Sequence, residues 1–135
     1  MKRLGTILAL FLLVISAAAS DDQLPEPSQN PEAAYRIFRT QNIYTLLRLD
    51  TRTGQVWQVQ WGDEDHRFTA PISRTVLLPS GNAAHPTVAK PGRFTLSPTS
   101  NIYTFVLLDQ EDGRTWQVQW GADPSKRFVV AIPEP

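Results

Sequence analysis

From residue 35 onward the chain is a succession of short runs in which apolar and polar side chains alternate. Loops rich in glycine, proline, aspartate and asparagine break these runs. An alternation with period two places successive side chains on opposite faces of an extended strand. No stretch after residue 20 keeps the three-and-four spacing of an amphipathic helix. The pattern therefore predicts an all-β protein.

The runs come in two sets. Residues 42–62 (NIYTLLRLDTRTGQVWQVQWG) and 101–121 (NIYTFVLLDQEDGRTWQVQWG) superpose on a shift of 59 positions with 13 identities in 21. All four tryptophans, Trp57, Trp61, Trp116 and Trp120, fall in this duplicated stretch. Within each copy two β-prone runs flank a polar loop that ends in Gly54 or Gly113, the signature of a hairpin. The glycine suits the left-handed position that closes such a turn, and Asp50 and Asp109 are placed to cap it. If a bulge absorbs one residue, Leu49 faces Trp57, Leu47 faces Val59 and Thr45 faces Trp61. The second copy would then pair Leu108 with Trp116, Val106 with Val118 and Thr104 with Trp120. On that register the indoles of both copies line the core. An indole that buries 150–250 Å² contributes up to roughly 4–6 kcal/mol at ~25 cal/mol per Å².

A leading strand precedes each hairpin, at Tyr35–Arg39 and Arg93–Ser97, and another follows, at Arg67–Ile72 and Arg127–Ile132. Pro71 assigns the first of the following strands to an edge, because proline cannot donate to a ladder. The expected fold is two repeated antiparallel four-stranded meanders that cover each other with pseudo-two-fold symmetry as a small sandwich or barrel. Repeat one spans 35–72, a Pro- and Gly-containing crossover 73–92 with a short strand candidate at Thr75–Leu78, and repeat two 93–133. Two repeats are too few blades for a propeller within one chain.

Composition changes the picture mainly at the N-terminus. Lys2 and Arg3, an apolar run to about Ile15 and the tract Ser16–Ser20 predict a signal peptide over 1–19, hence an exported protein of the periplasm or exterior. The apolar run is short for a membrane span, so no stable span is expected after cleavage. Residues 20–34 carry prolines and acids with little apolar bulk and read as a disordered tether before a β-domain over 35–135. Without Lys2 and Arg3 the chain has 11 basic and 13 acidic residues, net −2, which offers nucleic acid no general attraction. With no cysteine there are no disulfides, and packing must supply the stability.

Chemistry-bearing patterns are sparse. His66 and His85 sit in loops, and no nucleophile elbow, phosphate-cradling loop or zinc spacing is present. The acidic run Asp63-Glu64-Asp65-His66 is the best cation candidate, but the second copy replaces it with Ala122-Asp123-Pro124-Ser125, so it reads as a solvated turn. No catalytic residue, metal or cofactor is expected. The non-core hairpin face offers stacking area beside amide groups through Tyr44, Arg48, Gln58 and Gln60, with Tyr103, Gln117 and Gln119 in the second copy. These seven form the candidate surface for a protein or glycan partner, unless they pack beneath neighbouring strands. Phe105 and Leu107 in place of Leu46 and Arg48 make that face the more buried in the second copy.

The signature N-[IM]-Y-x-F-[LV]-x-L-D-x-x-x-G-R-x-W-Q-V-Q-W, present at Asn101–Trp120 and, with Gln55 in place of arginine, at Asn42–Trp61, resembles one in uncharacterised short exported bacterial proteins. The resemblance covers about 100 residues. It implies a two-copy architecture and export, and it carries over no catalytic or binding residue. The functional expectation is thus a non-catalytic envelope binding domain. Alternatives are a self-associating structural subunit built on edge-strand pairing and, as an outsider, a small hydrolase.

Overall fold

A computed structural model describes residues 30–135; the predicted signal peptide and all but the last residues of the predicted tether lie outside them. The described chain is all-β. Strands β1 (Tyr35–Arg39), β2 (Thr45–Asp50), β3 (Val56–Gln60) and β4 (Phe68–Ser73) form one antiparallel meander. Strands β5 (Phe94–Pro98), β6 (Thr104–Asp109), β7 (Thr115–Gln119) and β8 (Phe128–Ile132) form its copy. The two sheets pack on each other without closing into a barrel. Pro71 lies in β4, an edge strand, as its missing N–H requires. Thr75–Leu78 forms no strand; Leu77 and Leu78 instead pack against the core from the crossover.

The hairpin register differs from the expected one by a single residue. Leu47 pairs with Gln58, Arg48 with Trp57 and Leu49 with Val56, and the same parity holds from Thr104–Gln119 to Leu108–Thr115. The loop is the cause. Asp50 N donates to Gln55 O at 2.9 Å and Asp109 N to Arg114 O at 3.0 Å, so four residues lie between the closing pair and no bulge shifts the pairing. Gly54 and Gly113 occupy the left-handed position, with φ of 79° and 80°. The Asp50 and Asp109 carboxylates accept from Arg52 N and Glu111 N, both at 3.0 Å, and cap the turns as expected.

This parity corrects the expected core. In the first sheet the buried face carries Thr45, Leu47, Leu49, Val56 and Gln58, and Trp57 and Trp61 lie on the other side. In the second sheet the buried face carries Phe105, Leu107, Trp116, Val118 and Trp120. Positions 105 and 107 correspond to 46 and 48, so the two copies turn opposite faces inward. Trp120 is 4 % exposed while its counterpart Trp61 is 52 % exposed. The greater burial of the Phe105 and Leu107 face is as the sequence indicated.

The sheets also run the same way. Phe94 N, at the start of β5, donates to Thr51 O at 2.8 Å, at the end of the first sheet where β1 begins. At the start of the last strand of each copy, the Arg127 guanidinium lies 5.3 Å from the Phe68 ring centroid. The twice-repeated layout is therefore stacked front to back. A like-face contact between two identical meanders would have buried the same positions in both.

Folded structure begins before Tyr35. Thr51 N donates to Ala34 O at 2.9 Å and Thr51 Oγ1 to Ala33 O at 2.7 Å, which ties the last tether residues to the first hairpin turn. The second turn is anchored differently. Asp109 is fully buried and receives Arg93 Nε at 3.0 Å, Arg93 Nη2 at 2.8 Å and Arg114 Nη2 at 3.1 Å. Arg114 Nη2 also donates to Leu77 O at 2.9 Å and Leu77 N to Thr53 O at 2.8 Å, so the crossover is fastened to both hairpin tips.

Candidate functional site

The seven residues nominated from sequence do not converge on one surface. Tyr44 and Tyr103 stand just before β2 and β6, where their rings tilt against Trp61 and Trp120 with centroids 5.4 and 5.1 Å apart. Arg48 lies on the outer face of the first sheet, its guanidinium 4.6 Å from the Trp57 ring centroid and 5.9 Å from that of Tyr35. Gln58 is not on a surface at all. It is wholly buried between the sheets, and its Oε1 accepts from Gly121 N at 3.2 Å. Gln60, half-buried, borders a surface depression with Tyr44, Trp61, Gly62, Asp63 and His66. Gln117 and Gln119 are half-buried on the outer face of the second sheet, where Gln119 Nε2 donates to Lys126 O at 3.1 Å.

The acidic loop forms a short 3₁₀ turn, Glu64–His66, held by a contact between Asp63 and His66 Nδ1, and Asp63, Glu64, Asp65 and His66 are all exposed. Among the described residues no group of three or more His, Cys, Asp or Glu side chains is arranged to hold a metal ion. The carboxylates with shifted pKa values belong to the turns. Burial works to raise the pKa of Asp109, but hydrogen bonds from Arg93, Glu111 N and Arg114 outweigh it and hold the carboxyl below its ordinary range. Asp50 is lowered in the same way by Arg52 against the effect of burial.

What sequence reasoning missed is the outer face of the first sheet. The strand registers place Tyr35, Ile37, Leu46, Trp57, Val59 and the following Trp61 side by side on it, with Arg48 at its centre. Tyr35 and Ile37 are 52 % and 44 % exposed. Large apolar side chains grouped in this way on a sheet face mark a contact surface, whereas scattered ones would not. The signal was available in the duplication. In the second copy the corresponding positions, Phe94, Leu96, Phe105, Trp116, Val118 and Trp120, are all core.

Compared with known proteins, the chain matches no family model, no curated protein and no solved structure. Among the described residues no helix is long and apolar enough to cross a membrane.

Proposed function

We propose that this is an exported, non-catalytic β-module of the cell envelope that binds a protein partner through the outer face of its first sheet. The observation that carries the reading is the group Tyr35, Ile37, Leu46, Trp57, Val59 and Trp61, an apolar set of core-like composition on an uncovered sheet face, with Tyr35, Ile37 and Trp61 exposed and the other three half-buried. Aliphatic side chains beside the indoles favour protein over glycan: Ile37, Leu46 and Val59 lie among the rings, and the polar groups of the face are chiefly the cationic Arg39, Arg48 and Arg52, with Thr69 at the β4 edge. Export rests on the sequence pattern of residues 1–19. A non-catalytic role is supported by the use of Asp50 and Asp109, whose lowered pKa values serve ion pairs that hold hairpin turns.

The test is capture from envelope extract by the wild-type protein and by Ile37→Glu, a change at an exposed position of the face. Recovery of one discrete partner by wild type, with at least tenfold loss in the variant, is the expected result. Equal recovery by both would remove this face from the reading.

A further inference from the structure

We propose that the protein associates head to tail with further copies of itself, the outer face of the first sheet of one copy packing on the outer face of the second sheet of the next. This rests on the preceding reading of the exposed face and names its occupant. The contact inside the chain supplies the template. There, the β2 and β3 face of the first sheet, with Leu47, Leu49 and Val56, lies against the β6 and β7 face of the second, with Phe105, Trp116 and Trp120. Because unlike faces meet and the strands run the same way, each sheet keeps one face unused.

Those two unused faces are the counterparts of the two that are already joined. On the first sheet Leu46, Trp57 and Trp61 repeat the positions of buried Phe105, Trp116 and Trp120. On the second sheet Val106, Leu108 and Thr115 repeat the positions of buried Leu47, Leu49 and Val56. Val130 and Ile132 of β8 extend that second face and are 51 % and 43 % exposed. A chain whose free ends reproduce both halves of its own interior contact is complementary to itself.

The specific contacts carry over as well. Gln58 Oε1 accepts from Gly121 N within the chain at 3.2 Å. Gln117 and Gly62 occupy the corresponding positions and would meet between copies. Arg127 over Phe68 has its counterpart in Arg67 of one copy over Phe128 of the next; both are exposed. The departures are polar: Arg48, Arg39 and Thr69 stand where the second copy has Leu107, Pro98 and Val129, and Ser97 and Thr115 stand where the first copy has Phe38 and Val56, with Arg48 the most central of them. Its guanidinium already stacks on Trp57, and Gln117 and Gln119 of the facing sheet offer amide oxygens to it.

A contact between unlike faces does not end with a dimer. Its repetition closes into a ring when the rotation between sheets divides a full turn and otherwise extends as a filament. Four-stranded meanders stacked radially form propellers of roughly four to eight blades, and a ring of about three or four copies of this chain would give one of six or eight.

Sedimentation of purified wild-type protein, Ile37→Glu, Val130→Glu and an equimolar mixture of the two variants tests the proposal. Wild type should form species larger than a dimer, and each variant alone should be monomeric with an unchanged circular dichroism spectrum. The mixture should yield a one-to-one dimer and nothing larger, because each variant keeps the face the other has lost. Should either variant misfold, Tyr35→Glu and Ile132→Glu replace it on the same faces. As an independent measure, wild-type tryptophan emission should shift to the blue with concentration as Trp57 and Trp61 leave water. A monomeric wild type, a dimer formed by one variant alone, or a mixture that stays monomeric would overturn the proposal. Loss of a different captured protein in Ile37→Glu, with a monomeric wild type, would leave the binding module standing and end self-assembly alone.

Discussion

Asp109 shows how a single side chain holds the second repeat. Its carboxylate is sealed from water and shared between Arg93 and Arg114, so converting it to a neutral amide removes the fully buried counter-ion of the nearly buried Arg93 and leaves that guanidinium only the more exposed Glu111 at 3.0 Å and Asp112 at 3.5 Å. Breaking one side of a buried pair costs about 3–5 kcal/mol when the remaining charge is left alone, and with Glu111 and Asp112 still beside Arg93, Asp109→Asn should lose no more than about 3 kcal/mol in urea denaturation. The pH dependence follows from the same contact. A carboxyl whose folded pKa lies below its unfolded value of about 3.9 adds stability that is complete above that pH and is lost as pH falls through the folded pKa. The denaturation midpoint should be flat toward neutrality and drop below about pH 4, with a shallower acid limb in Asp109→Asn. Gln58 is the other buried polar residue of consequence. Gln58→Ala removes the acceptor of Gly121 N and should cost about 1–3 kcal/mol, beyond the cavity it opens. Sequence identified Asp109 as a turn cap but could not show that Arg93, sixteen positions earlier, also reaches it, since that contact exists only once β5 and β6 have paired.

At the scale of the element, strands and turns were legible and the pairing parity was not. Alternating runs and the two glycine-ended loops marked the eight strands to within a residue or two, because strand propensity and turn chemistry are local. Parity depends on whether the turn absorbs a residue. Ordinarily a hydrophobic-in, polar-out pattern decides that, since a one-residue slip exposes the core. Here both faces of each hairpin are apolar: Leu47, Leu49 and Val56 lie on one side of the first, and Leu46, Trp57 and Val59 on the other. Such a sequence tolerates either register on paper, and only the four-residue loop selects between them. A sheet apolar on both faces is the pattern of one covered on both sides, as in a stack. The two loop glycines make a paired test. An alanine at either position bears the left-handed strain of roughly 1–2 kcal/mol. At Gly113 the added Cβ meets nothing within 4 Å, whereas at Gly54 it comes within 3.1 Å of the Phe94 ring and of Leu77. Gly54→Ala should therefore be the more destabilising of the two by about 1–3 kcal/mol in thermal or urea denaturation.

For the whole molecule, the duplication announced two sheets that cover each other, and the structure has them. It did not announce how they meet. Identical halves suggest a symmetric contact, yet the small differences between the copies decide otherwise. Leu107 in place of Arg48 and Phe105 in place of Leu46 make the second copy's indole face the one that can be dried, and the first copy answers with its Leu47 and Leu49 face. The candidate site was hidden for the same reason: with parity misassigned, Trp57 and Trp61 are counted as core and Gln58 as surface, the reverse of their positions. Front-to-back stacking of the halves is the claim on which both functional readings depend. Proton–proton nuclear Overhauser contacts in the isotope-labelled monomeric variant Val130→Glu measure it most directly. Front-to-back stacking requires contacts between the Gly121 amide proton and the Gln58 side chain, and between Gly54 and the Phe94 ring. Contacts between the Trp57 and Trp116 indoles, which a like-face sandwich requires, would contradict it.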